Sequence, residues 1–181
     1  VPSVAAATAD GAFYNNGQSC CAVERIYVHE KVYDEYVDQF TKEVNSWKIG
    51  PPTEDNVYLG PLTRKDQLTV LKNQIADALQ RGASLVTGGK PLETKGYFLQ
   101  PTVLVNVTHE MSVMKDESFG PVIGIMKVKD DEEAVRWMQD TEYGLTASVY
   151  TSKLERAENI LRRINAGSGY WNCCDRVSAA L

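Results

Sequence analysis

Two short segments hold the side chains whose types and spacing suit covalent chemistry. The first, Phe13-Tyr14-Asn15-Asn16-Gly17-Gln18-Ser19-Cys20-Cys21-Ala22, joins an alanine-rich stretch to a β-branched one that starts near Arg25. A thiol at such a junction can face a cleft while its backbone N–H points into the same space. That arrangement suits acyl chemistry: the sulfur attacks a carbonyl, and the N–H helps hold the developing oxyanion. Gly17 lets the backbone turn closely, and Gln18 offers an amide to anchor the loop. Residue type alone favours a plainer reading, in which Cys20 and Cys21 pack as small apolar side chains. The two histidines, His29 and His109, do not adjoin the thiols in sequence as an activating base. The second segment, Glu117-Ser118-Phe119-Gly120-Pro121-Val122, leads into an apolar stretch. Taken by itself it is a solvated loop carboxylate, a core phenylalanine and a Gly-Pro turn.

The elements that must position these segments follow from periodicity. Residues 4–16 predict a helix running into Gly17, and Arg25 to His29 alternates as a strand does. From Lys31 to Ser46, Val32, Tyr33, Tyr36, Val37, Phe40 and Val44 recur at helical spacing, an amphipathic helix packed on a sheet. Its aromatics, with Tyr27, are expected in the core. A long helix is predicted from about Arg64 to Gln80, with Gly82 as its C-terminal glycine. Ser84 to Thr87 is expected as a short buried strand. Phe98 to Val107 contains Pro101 and is expected as an edge or interrupted strand. Val122–Val128 predicts a strand, and Asp131–Gln139 a helix capped by Asp130. Strand, helix and strand follow at 147–150, 154–164 and 169–172. Alternating helix and strand argues for one α/β domain with a mostly parallel sheet. His109 is expected on a surface loop.

Composition narrows the classes. The chain has 181 residues, 43% hydrophobic and 24% charged, with a formal net charge of −5. Scattered basic residues on an acidic chain argue against nucleic acid or an anionic membrane as partner. No apolar run approaches the roughly 20 residues of a membrane span. The N-terminus lacks an initiating Met and a basic signal region, and both ends are expected to be cuts within a longer chain. Four cysteines fall in two adjacent pairs, Cys20-Cys21 and Cys173-Cys174, whose spacing fits no zinc ribbon, so no metal site is expected. Neighbouring cysteines rarely bridge each other, and a reduced, cytoplasmic protein is the expectation, a bridge between the pairs staying open.

Phe13, Gly17, Gln18, Cys20, Cys21 and Ala22 fall in register with the cysteine signature of the aldehyde dehydrogenase superfamily, which this stretch resembles; Arg25 and Val28 continue it. Glu117-Ser118-Phe119-Gly120-Pro121 resembles the superfamily's Glu-x-Phe-Gly-Pro motif. Pro61-Leu62, Gly96-Tyr97-Phe98, Pro101-Thr102, residues 143–149 and residues 167–172 are similar to further segments in the same order. The resemblance implies a three-layer α/β/α catalytic domain over residues 1–181, with Cys20 as nucleophile. It implies NAD or NADP as cofactor, with Glu117 on the nicotinamide ribose and Phe119 at the nicotinamide side. It implies a small aldehyde as substrate, reached past Trp171 and Asn172, while Cys173 and Cys174 could line that passage or simply pack. A homo-oligomeric parent, dimer or tetramer, is implied too.

The family's cofactor-binding domain, its general-base Glu, its oxyanion Asn and its C-terminal oligomerisation strand are not found in this sequence. The 181-residue piece is therefore expected to be inactive alone. Alternatives are a CoA- or phosphate-dependent semialdehyde dehydrogenase using the same cysteine, a member reused as a non-catalytic structural or binding protein, and a thiol hydrolase, for which no His partner is present.

Overall fold

The computed structural model describes residues 1–174, so the stretch 177–181, expected to end without a closing element, lies outside the described residues. Four strands form the main sheet: β1 (Arg25–His29), β4 (Ser84–Thr87), β5 (Thr102–Val105) and β6 (Val122–Val128), in the order β1-β6-β5-β4. β1 and β5 both run parallel to β6, while β4 is antiparallel to β5. Side chains alternate between the two faces of these strands, and each face has its own core. Ile26, Val28, Val103, Ile123 and Ile125 meet helices α1 (Pro2–Phe13) and α2 (Tyr33–Asn45) through Phe13, Tyr36, Phe40 and Val44. Leu104 and Val122, with Tyr27 and Met126 beside them, meet α3 (Lys65–Gln80) and α4 (Ser112–Lys115) through Leu71, Ile75 and Met114. The result is a helix–sheet–helix sandwich, an α/β fold with a mixed but largely parallel sheet.

Local chemistry explains the boundaries. α1 is alanine-rich, and Ala5, Ala9 and Ala12 are almost wholly buried, which lets α2 approach closely. Thr8 Oγ and Tyr36 OH share a buried hydrogen bond of 2.6 Å across that contact. α3 ends as its glycine predicts: Gly82 takes φ +98°, Ala83 N–H donates to Ala78 O, and Gly82 N–H donates to Leu79 O. These two bonds satisfy carbonyls that the helix end would otherwise orphan. α5 (Asp131–Gln139) is capped by Asp130, whose carboxylate accepts from Glu133 N–H at 2.8 Å.

Three expectations need correction. Ser84–Thr87 is not buried: it pairs only with β5, and Leu85 and Val86 are 40% and 38% exposed at the sheet's edge. Thr102–Val105 is an inner strand rather than an edge, although the stretch is interrupted at Pro101 as expected, with an isolated bridge from Leu99 to Pro91 before it. His109 is buried at 4% exposure rather than on the surface. Its ring stacks near Trp137, its Nε2 is 2.9 Å from Tyr27 OH, and its Nδ1 is 2.8 Å from an Asp140 carboxylate oxygen.

Two smaller sheets complete the structure. β2 (Lys48–Ile49) and β3 (Val57–Leu59) pair beside α2, and β7 (Thr146–Val149) and β8 (Ser168–Trp171) pair in parallel. The β7–β8 unit packs with α5 and α6 (Leu154–Leu161) on a small core of Val135, Val149, Ala157 and Ile160. Among the described residues, no helix is long and apolar enough to cross a membrane.

Candidate active site

The nucleophile segment begins where α1 stops. Asn15, Asn16 and Gly17 take φ of +49°, +63° and +70°, three successive left-handed residues that reverse the chain in a short 3-10 turn. Asparagine tolerates this region better than most L residues, and glycine enters it freely. At Gly17 the freedom is required twice over, because a Cβ there would lie 2.3 Å from Gly120 O. The two chemistry-bearing segments therefore touch, backbone against backbone, across this glycine.

Side chains then tie the turn down. Asn16 Nδ2 donates to Gly60 O at 3.1 Å, and Gln18 Oε1 accepts from Thr63 N–H at 2.8 Å. The anchoring expected of Gln18 is thus present, with Nε2 also donating to Asn15 O. Tyr14 OH donates to Ser19 Oγ at 2.5 Å, and that oxygen accepts from Cys21 N–H. Cys20 follows as an exposed residue, its Sγ 3.8 Å from the less exposed Cys21 Sγ. None of the four cysteines is joined in a disulfide. Arg25, which opens β1, donates to Met114 O and so fixes the exit of the segment on the α4 side.

The Glu117–Pro121 segment enters β6 from the same end. Glu117 is exposed and its N–H donates to Tyr143 OH at 3.3 Å. Ser118 is fully buried, and Phe119 takes φ +48°, a conformation rare for a bulky residue. Residue-type reasoning passed over what holds this loop. Glu24 accepts from Ser118 N–H at 3.0 Å and from Phe119 N–H at 3.1 Å, while Gln67 Nε2 donates to Ser118 O at 2.5 Å. Burial pushes the Glu24 carboxyl above its ordinary range; the two amide bonds work against that, and the charge of Glu117 adds to it. The available signal was a carboxylate placed just before a strand, inside the nucleophile segment itself.

Cys20, Glu24 and Glu117 line one cleft of about 1370 Å³, closed on its far side by residues of the β7–β8 unit, among them Tyr143, Ser148 and Asn172. Asn172 takes φ +53°, and its side chain exchanges hydrogen bonds with the Thr151 backbone at 2.9 and 3.1 Å. Trp171 is 41% exposed, with its indole N–H donating to Thr151 O, and its ring is not among the groups lining the cleft. Phe119, 36% exposed, is likewise not among the residues lining the cleft. Cys174 lines the cleft and its thiol donates to Ala7 O, whereas Cys173 is exposed beside it.

An exposed carboxylate on a pinned loop can accept from a diol such as that of a ribose, and Glu117 lines the same cleft as Cys20.

Known proteins agree in sequence and in shape. The mitochondrial benzaldehyde dehydrogenase of Antirrhinum majus is 41% identical over 169 residues, which is 93% of this chain and 32% of that protein. Aldehyde dehydrogenase 1A1 of Oryctolagus cuniculus is 39% identical over 169 residues, 93% of this chain and 34% of its own length. Among solved structures, succinate-semialdehyde dehydrogenase from Burkholderia pseudomallei superposes with a TM-score of 0.94 at 36% identity, covering 97% of this chain and 37% of that one. Lactaldehyde dehydrogenase from Escherichia coli gives 0.93 at 33% identity, covering 98% and 38%. The chain thus spans about a third of the length of the curated relatives it matches. The family model described as "Aldehyde dehydrogenase family" matches residues 1–181, and the chain belongs to that family.

Proposed function

We propose that this chain is the nucleophile-bearing catalytic domain of an enzyme that oxidises an aldehyde to a carboxylic acid with NAD or NADP. The observation that carries the reading is the placement of Cys20 and Glu117 on one cleft, from segments nearly a hundred residues apart that meet at Gly17 and Gly120.

In this reading Cys20 Sγ attacks the aldehyde carbon, a C–S bond forms, and the former carbonyl oxygen takes hydrogen bonds from the Cys20 N–H and an amide elsewhere in the parent. Glu117 would hold a dinucleotide by accepting from its ribose hydroxyls, and Phe119 would lie on the nicotinamide side. When bound, the nicotinamide would supply the hydride acceptor needed to oxidise the Cys20 adduct to a thioester. Water then cleaves the C–S bond, releasing the acid and returning the thiol. Asn172 holds the far wall of the substrate passage through Thr151, and Trp171 braces it from outside. The family resemblance puts the general base and the oxyanion Asn outside these 181 residues, so the piece alone is expected to make no NADH. The parent is proposed to be a cytoplasmic homo-oligomer acting on a small aldehyde.

The test is the full-length protein assayed for NADH or NADPH absorbance against short aliphatic, long aliphatic and aromatic aldehydes, with and without CoA and phosphate. Native turnover with at least about a thousandfold loss in Cys20→Ser is expected. Turnover that requires CoA or phosphate would replace hydrolysis by acyl transfer. Silence towards every aldehyde would remove the catalytic reading.

A further inference from the structure

We propose that Glu24 is a positioning residue that sets the distance between the Cys20 thiol and the loop bearing Glu117 and Phe119; this deepens the reading above and rests on it. Glu24 lies in the nucleophile segment, yet both of its oxygens are engaged by consecutive amides of the other segment, Ser118 at 3.0 Å and Phe119 at 3.1 Å. Two adjacent N–H groups converging on one carboxylate leave the peptide little freedom to rotate. The opposite side of the same peptide is held by Gln67, and the next residue rests on Gly17. The loop is thus fixed from the thiol's segment at two points and from α3 at a third.

What this fixation produces is visible in Phe119. Its left-handed backbone is one a bulky L residue keeps only where the surroundings impose it, and the Glu24 bond ends on that residue's own N–H. Glu117 and Phe119 flank the pinned Ser118, so the carboxylate and the ring take their places from it. Releasing the peptide would let both drift relative to Cys20 while leaving the thiol's own turn, held by Asn16 and Gln18, in place.

The choice of residue also points to function. Burial opposes the charge on Glu24, and the neighbouring Glu117 opposes it further. No cation is among the groups that act on this carboxyl within the described residues. A neutral side chain of similar shape would cost less to bury. Glu24, partly buried, spends both carboxylate oxygens on the backbone of one loop, a use that fixes geometry.

The experiment uses the full-length protein as native, Glu24→Gln and Glu24→Ala. Dinucleotide Kd is read by NADH fluorescence titration, KM is measured separately for dinucleotide and aldehyde, and Tm is taken at pH 7. Glu24→Ala is expected to raise the dinucleotide Kd and KM about tenfold, with the aldehyde KM held within about twofold. Glu24→Gln keeps one acceptor but turns an N–H donor towards the other amide, and its dinucleotide Kd is expected to fall between those of native and Glu24→Ala. A purely structural role predicts the opposite split: lower Tm and kcat, with both KM values unchanged. That result in Glu24→Gln, or native dinucleotide affinity in both variants, overturns the inference. If Glu24→Ala fails to fold, Glu24→Gln carries the test alone. A native protein that binds dinucleotide without oxidising any aldehyde would sink the proposed activity and leave the Kd comparison intact; one that binds no dinucleotide would sink both.

Discussion

The two walls of the cleft are built differently. The wall that carries Cys20, Glu24 and Glu117 belongs to the four-stranded sheet, with a large core on each face. The facing wall, β7, β8, α5 and α6, rests on four buried side chains and is strapped on its outside by two paired-nitrogen ion pairs, Arg156–Asp131 and Arg163–Glu132. Exposed pairs of this kind are screened by water and contribute little, so they do not replace a core. The division matches a division of labour. In the proposed reaction the Cys20 thiol needs a rigid mount, whereas the wall facing it can change at low structural cost.

The difference is tested most severely at the mount. Gly17→Ala combines a left-handed φ with a collision against Gly120 O and is expected to cost about 3–5 kcal/mol. Urea denaturation reads it. A loss below about 1 kcal/mol would mean that the two segments slide apart easily, and the contrast between the walls would fail.

A smaller and more local effect is expected from Ile160→Ala, which empties part of the thin core. About 2–3 kcal/mol is expected, at the lower end for such a change because a small core collapses readily. Hydrogen exchange should show β7 and β8 amides opening faster while those of β1 and β6 keep their protection. Equal acceleration in both would make the walls one cooperative unit.

The smallest effect concerns the joint between the walls. His109 faces Tyr27 of β1 on one side and Asp140 at the end of α5 on the other. Burial holds its pKa below the ordinary 6.5, although Asp140 pulls the other way. The folded protein thus favours the neutral ring, held between Tyr27 OH at Nε2 and the Asp140 carboxylate at Nδ1. As pH falls below 6.5 the unfolded chain takes up its proton first, so stability drops between that point and the lowered folded value. His109→Leu should flatten this part of the stability curve. An unchanged slope would remove His109 from the joint.

Much of this was legible beforehand, because it rests on local signals. The spacing of Tyr33, Tyr36, Phe40 and Val44 gives α2 and its buried face, and Gly82 marks the end of α3. Cys20, Glu117 and Asn172 line one cleft, and the roles their motifs imply there belong to the proposed function. What was not legible depends on strand order. Residues 84–87 and 102–105 trade edge and interior because apolar content does not reveal how many neighbours a strand has. His109 and Glu24 were missed for a related reason: their partners lie 82 and 94 residues away in sequence, beyond the reach of any periodicity.

The turn before the nucleophile also has a bearing on how the protein ages. Asn-Gly is a sequence prone to hydrolytic loss of the side-chain amide when the backbone is free to fold onto it. Asn16 is 3% exposed, and its Nδ2 is committed to Gly60 O, while its Oδ1 is buried without an acceptor's partner. The native fold thereby shields this bond, and brief unfolding exposes it. An aspartate formed there would replace the donor with a negative oxygen facing a carbonyl, four residues ahead of Cys20. The packing that mounts Cys20 thus also guards the Asn16–Gly17 bond against chemical wear for as long as the turn stays folded.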